Sequence, residues 1–266
     1  MKDSHSHRSR FARVWMSVGM AGMLLLASLT ACFADESSLP KKGLLLWLCA
    51  DAGVLTKEGV VSVWQDAGSS GNHAQRDDAF SIRPENPRLI PAGTNGPALL
   101  RFDGSDVAFS FQRLTNILTV FWVVAKDPQC FGQNNERFML GDSTGKDFHV
   151  GTHKTAFLLE QVESSVALRQ GVVRINGTAV DPLTTDFPDG LAVISMVSTG
   201  PLSADQIGKD RQFKDRSWQG DIAEIILYNR VLPDAERAGI ERLLEGKYGV
   251  AQSAPTAKPN PMDVTR

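Results

Sequence analysis

The chain has 266 residues, 42% of them hydrophobic and 22% charged, with 23 glycines and 13 prolines. This composition supplies ample apolar material for one sizeable core and excludes disordered, collagen-like and coiled-coil chains. A formal net charge of −2 gives no broad positive field, so nucleic acid is not an expected partner.

Residues 1–31 read as an address. Lys2, Arg8, Arg10 and Arg13 outweigh Asp3, and the apolar run Val18 to Ala31 follows. That run is too short to span a bilayer comfortably and suits a secretory signal. It ends in Leu29-Thr30-Ala31-Cys32, which resembles the bacterial lipobox, whose cysteine is lipidated and becomes the new N-terminus. The alternative is simple cleavage after Ala34. The expected location is therefore the cell envelope, by a lipid at Cys32, or else the periplasm or medium. Without residues 1–31 the chain keeps 24 basic and 29 acidic side chains, a net of −5. Cys49 and Cys130 could pair in an oxidising compartment. Cys49, however, lies within the apolar Leu44-Leu-Leu-Trp-Leu-Cys49, where a free cysteine packs as a small hydrophobe, and that is the favoured reading.

A short linker, 32–42, leads to the body, 43–250. Strands are expected at 43–49, 60–64, 98–102, 106–111, 117–125, 136–141, 147–151, 155–160, 165–169, 171–175, 178–180, 190–198 and 218–228, separated by Gly, Pro, Asn and Asp clusters. Short strands at this spacing, without intervening helices, predict an antiparallel sandwich or barrel. Asn176-Gly177 supplies the positive-φ pair of a tight hairpin, joining 172–175 to 178–180. At Pro233-Asp-Ala-Glu the period changes, and Ile240, Leu243 and Leu244 recur at helical spacing, with Gly246 as a stop. This predicts one amphipathic helix packed outside the sheets. The tail 251–266 contains three prolines and reads as disordered.

Several segments in order resemble the laminin-G-like, concanavalin A-like jelly-roll domains frequent in exported bacterial proteins. They are Gly43 to Asp51, Val63-Trp64-Gln-Asp66 with Gly71-Asn72-His73-Ala74, Pro97 to Asp106, Leu118 to Ala125, the Asn176-Gly177 hairpin, and Trp218 to Leu232. The resemblance spans 43–250 and implies an all-β jelly-roll sandwich of two face-to-face antiparallel sheets, with first and last strands meeting and one C-terminal helix. It also implies a structural Ca²⁺, for which Asp66, Asn72 and Asp221 are the candidate ligands. The chain departs from the family where a carboxylate pair is common, since Ala223 precedes Glu224. No other cofactor is expected.

Catalytic patterns are weak. Gly141-Asp-Ser143-Thr-Gly145 matches a hydrolase nucleophile pattern, which has meaning only on a strand-to-helix elbow. Between two β-type runs it reads as a turn. Glu160 with Glu163, and Asp221 with Glu224, are spaced to point to opposite faces of a regular strand, although a β-bulge would change that. His149 and His153 would lie about 13 Å apart if extended, too far for one ion, and read as surface residues. His73 reads as solvated. Trp47 and Trp122 belong to the core, whereas Trp64 and Trp218, beside polar loops, are candidate sugar-stacking residues. Glu224 and Tyr228 share one strand face. The expectation is a protein that is not an enzyme: a surface-exposed binding or adhesion module recognising carbohydrate or an envelope protein through Trp64, Asp66, Asn72 and Trp218. The alternatives are a structural envelope protein without a ligand site and a diverged glycoside hydrolase.

Overall fold

The computed structural model describes residues 39–77, 87–93, 96–105, 107–128, 137–151, 156–209, 211, 213–214 and 216–250. The expected signal segment 1–31, the lipidation candidate Cys32, Cys130, His153 and the tail 251–266 lie outside them.

The strands are β1 (Leu44–Cys49), β2 (Val54–Lys57), β3 (Val60–Trp64), β4 (Ala74–Asp77), β5 (Arg88–Ile90), β6 (Leu99–Asp103), β7 (Ala108–Lys126) and β8 (Leu140–Gly141). A short helix α1 (Val166–Arg169) precedes β9 (Val172–Ile175), β10 (Thr178–Val180), β11 (Ala192–Ile207) and β12 (Gln219–Tyr228), and helix α2 (Asp234–Tyr248) follows. The pairings between these strands are all antiparallel. The expected β-rich antiparallel architecture is therefore present, with a one-turn helix that the sequence reading placed as a strand.

β7 and β11 form the spine. They pair from Ala192↔Val124 to Ile207↔Phe109, with register shifts between Val197 and Leu202, Leu202 and Ala204, and Ala204 and Gln206. Bulges bend strands and absorb residues that cannot join a ladder, and Pro201 falls within the first of these shifts. The sheet is β-sandwich-like: one half of the spine carries β12, β1, β6, β5, β9 and β10, and the other half carries β4, β3, β2 and β8. The sequence reading split β7 into 106–111 and 117–125 and ended β11 at 198, because Leu114-Thr-Asn and Gly200-Pro201 look like interruptions. β1 lies beside β12, so the first and last strands meet as expected.

Strict alternation sorts side chains into two cores. Leu46, Leu48, Val120, Trp122, Ile225 and Leu227 point to the sandwich interior, where Trp64, Phe109 and Trp218 also lie. Trp47, Cys49, Phe121, Val123, Ile226 and Tyr228 point outwards and are covered by Ile240, Leu244 and Tyr248 of α2. Because both faces are buried, these strands read as unbroken apolar runs. Helix α2 buries Arg237, Ile240, Glu241, Leu244, Glu245 and Tyr248, one helical stripe. It passes through Gly246 and ends at Gly249, whose φ of 64° is the left-handed cap conformation. Gly246 is therefore not the stop.

The Asn176-Gly177 hairpin forms as predicted, both residues having positive φ. A second turn of the same kind joins β2 to β3 through Glu58 (φ 53°) and Gly59 (φ 81°). β2, β4 and β5 were not anticipated, since their few residues are mostly polar or exposed. The expected strands 147–151 and 155–160 reduce to the bridges Arg137↔Val150 and Phe157↔Asp186. At 165–169 the helix formers Ala-Leu-Arg close one turn that buries Leu168.

Candidate functional site

The 66–72 loop follows β3 and is fastened by the Asp66 carboxylate. Its Oδ1 accepts hydrogen bonds from the backbone N–H groups of Trp47 at 2.8 Å and Gly68 at 3.0 Å. Its Oδ2 accepts from the Ser70 hydroxyl and from the Asn72 N–H at 3.3 Å. The Ala67 N–H donates to the Trp47 carbonyl at 2.7 Å, tying the loop to β1. Asn72 closes the other end: its Oδ1 accepts from the Gln112 N–H at 2.7 Å and its Nδ2 donates to the Gln112 carbonyl at 3.0 Å. His73 is exposed, and its Nδ1 accepts from the Asp66 N–H at 3.0 Å. The loop is thus held on β1 and β7 by polar groups that all have partners.

Beside this loop lies a small notch of about 40 Å³, open to solvent and lined by Leu39, Lys41, Leu44, Trp47, Gly68 and Ser69. Leu39, Leu44 and Trp47, the last only 2% exposed, form its apolar side, while Lys41 and Ser69 are exposed at its rim. Apolar walls with a few placed polar groups are the usual composition of a small-ligand site. Behind the wall, Trp47 Nε1 donates to Glu224 Oε1 at 2.6 Å. Glu224 Oε2 accepts from Lys247 Nζ at 2.8 Å and Tyr248 OH at 2.6 Å. Lys247 also lies 3.5 Å from Asp51 Oδ2 and 3.1 Å from Cys49 Sγ. Burial, reinforced by the neighbouring Glu224, raises the Tyr248 phenol well above its ordinary range. This network fixes the indole from beneath by joining β1, β12 and α2.

The other candidates fall elsewhere. Trp64 and Trp218 are fully buried in the sandwich interior, so the expectation that they stack on sugar is corrected. Trp218 packs on Phe187 at 4.9 Å between ring centroids. Asp221 is engaged by Arg101 through two 2.7 Å hydrogen bonds. Asp66 bridges Leu48, Leu48 pairs with Ile225, and Asp221 lies four residues further along β12, about 13 Å away. Asp66, Asn72 and Asp221 therefore do not surround one point. Each oxygen of the two carboxylates, and Asn72 Oδ1, already faces a hydrogen-bond donor, so these residues do not fit Ca²⁺. No cluster of three or more His, Cys, Asp or Glu suited to a metal occurs among the described residues.

A register shift between Ile222 and Glu224 is the bulge that the carboxylate spacing allowed for. It places Asp221 and Glu224 on the same outer face, but Glu224 is only 2% exposed beneath α2, and Tyr228, further along the strand, is fully buried. Glu160 bonds the Val162 and Glu163 N–H groups of its own turn, and Glu163 pairs with Lys146. Ser143 lies in a turn in which its hydroxyl donates to Asp205 at 2.5 Å and Thr144 N–H donates to Asp142 at 2.7 Å. Burial opposes the charge on Asp142, but hydrogen bonds from Arg113 and Thr144 prevail and hold its carboxyl below the usual range. Asp147 is raised by burial. His149 is buried and stacked on Phe138 at 4.7 Å, which corrects its reading as a surface residue. Cys49 is disulfide-bonded, which corrects the free-thiol reading; its partner lies outside the described residues.

No protein-family model matches the chain. No curated protein matches it. Among solved structures it is similar to the sialidase of Trypanosoma rangeli in complex with the inhibitor DANA, at 16% identity and a TM-score of 0.42 over 76% of this chain. The match spans 33% of the sialidase, so this chain corresponds to about a third of that protein. The expectation that the chain is not an enzyme is corrected on this finding and withdrawn, since the similar structure is an enzyme. A likeness of this weakness assigns no activity in its place.

Proposed function

We propose that the chain is an exported binding module of laminin-G-like jelly-roll type that receives a glycan, or a side chain of a cell-envelope protein, in the notch beside the 66–72 loop. The observation that carries this reading is the notch itself: two leucines and the largely buried Trp47 beside an exposed ammonium and hydroxyl, at a loop immobilised by Asp66 and Asn72. A loop fixed before binding loses little entropy when a ligand arrives. Export is supported by the basic start and apolar run, and by the disulfide at Cys49, since such bonds persist in oxidising compartments. A lipid on Cys32 would tether the domain without a membrane-crossing helix; no described helix is long and apolar enough to be one. The jelly-roll assignment is supported by the antiparallel sheets, the β1–β12 pairing and the helix packed after the last strand.

The test is a screen of the mature protein against a glycan array and solubilised envelope fractions, alongside Ser69→Trp, which fills the notch from an exposed position. Saturable binding that Ser69→Trp abolishes while melting is unchanged supports the reading. No binding at high micromolar protein, or binding indifferent to Ser69→Trp, refutes it.

A further inference from the structure

The size and the charge of the notch narrow what it can receive. A volume of about 40 Å³ holds about three waters, so a methyl- or acetyl-sized group enters and a whole sugar ring stays outside. The absence of a side chain at Gly68 helps to keep this space open, because a Cβ there would stand 3.4 Å from Leu44 Cδ2 and 3.1 Å from Asp66 Oδ1.

No acidic side chain lines the notch. Lys41 is exposed at its rim and Lys42, next in the chain, is exposed as well. Neither ammonium, nor the exposed Ser69 hydroxyl, has a hydrogen-bond or ion-pair partner among the described residues. The two carboxylates nearby are committed elsewhere. Asp66 is 7% exposed and accepts from Trp47, Gly68, Ser70 and Asn72. Glu224 lies behind Trp47 and accepts from Lys247 and Tyr248. The rim therefore offers a cation and a hydroxyl donor directly beside an apolar recess. A neutral acyl group would leave the ammonium unpaired, and a carboxylate with no apolar neighbour would gain nothing from Leu39 and Leu44.

We infer that the notch recognises an acidic sugar through a lactyl-type ether, a substituent with a methyl group and a carboxylate on one carbon. The methyl enters between Leu39 and Leu44 beside Trp47, the carboxylate accepts from Lys41 Nζ and Ser69 Oγ, and the sugar ring rests at the mouth. This rests on the reading of the notch as a ligand site and names the chemistry of its ligand.

The test follows the amide signals of Lys41, Gly68 and Ser69 in the mature, isotope-labelled protein. The probes are N-acetylmuramic acid, which carries this ether, N-acetylglucosamine, which lacks only the ether, and the carboxymethyl ether of N-acetylglucosamine, which lacks only the methyl. Saturable shifts with N-acetylmuramic acid, weakened by salt, are expected. Loss of the methyl should weaken binding about fourfold, the value of one buried carbon. Lys41→Met should weaken it about fivefold, the upper value for an exposed ion pair. N-acetylglucosamine should bind more weakly than either acidic sugar, and Lys57→Ala, in β2, should change nothing. Melting curves check that each variant is folded. Equal binding of N-acetylglucosamine, indifference to Lys41→Met, or a loss in Lys57→Ala as large as in Lys41→Met would overturn the inference. Tighter binding of N-acetylalanine, which presents a methyl and a carboxylate without a sugar, would overturn the assignment to a glycan. If solubilised envelope polysaccharide shifts these signals and N-acetylmuramic acid does not, the inference falls while the notch stands as a ligand site; if neither shifts them, both fall.

Discussion

Glu224 accepts hydrogen bonds from three side chains contributed by β1 and α2, one of them an ammonium. Removing one partner of a buried ion pair leaves the other charged and unsolvated, so Glu224→Ala should destabilise the protein by about 3–5 kcal/mol in urea unfolding. Glu224→Gln, which keeps the shape and one acceptor, should cost less. Tyr248 in the same network gives a pH signature. Its phenol has an ordinary value of 10.0 and is raised well above that by burial and Glu224. Above pH 10 the unfolded chain loses a proton that the native state keeps, so stability is complete below that pH and falls as pH rises towards the folded value. Tyr228, also raised by burial, adds to the slope. Unfolding free energies measured across the alkaline range should decline beyond pH 10 in the parent and less steeply in Tyr248→Phe.

Elements differ in how openly the chain announces them. The β9–β10 hairpin is legible because Asn176-Gly177 has one good conformation, whereas Glu58-Gly59 makes the same turn without the signature asparagine. β7 and β11 are hidden as continuous strands because their bulges bridge residues that look like breaks, and register shifts leave no mark in sequence. α2 is legible by its period but not by its charge, since Arg237, Glu241 and Glu245 lie on its buried stripe. There Glu241 accepts a hydrogen bond from Ser195 at 2.5 Å, a partner 46 residues away. The start of β12 depends on Gly220. Its φ is 147°, and a Cβ there would stand 2.3 Å from the Ala125 carbonyl oxygen of β7. Gly220→Ala should therefore cost at least about 2 kcal/mol. In α2, Leu244→Ala should cost about 2–5 kcal/mol. The exposed Arg242→Ala should stay within about 0.5 kcal/mol, and thermal melts of the pair measure how much the outer core depends on the helix.

At the scale of the whole molecule, two cores on either side of one sheet layer explain why the tryptophans chosen for sugar stacking are not available for it. Polar flanks made Trp64 and Trp218 look exposed, but the flanking groups belong to loops that fold over the sandwich edge. The side chains of Asp66 and Asn72 are spent on building the loop, and the accessible groups are Lys41 and Ser69, which carry no motif. The disulfide at Cys49 adds a constraint that chain composition left open. Reduction should lower stability by about 2–4 kcal/mol in urea. Peptide mapping under non-reducing conditions should find Cys49 joined to Cys130, leaving the Cys32 sulfur for lipid, whereas a link to Cys32 would exclude lipid on that sulfur. Entry of a ligand into the notch beside the 66–72 loop can be followed residue by residue. Amide and indole NMR shifts of the mature, isotope-labelled protein, followed during titration with solubilised cell-envelope polysaccharide, address it most directly. Saturable shifts at Lys41, Gly68 and Ser69, with the buried indole N–H signals of Trp64 and Trp218 unmoved, are predicted; no saturable shift at the loop, or shifts confined to those indoles, would contradict it.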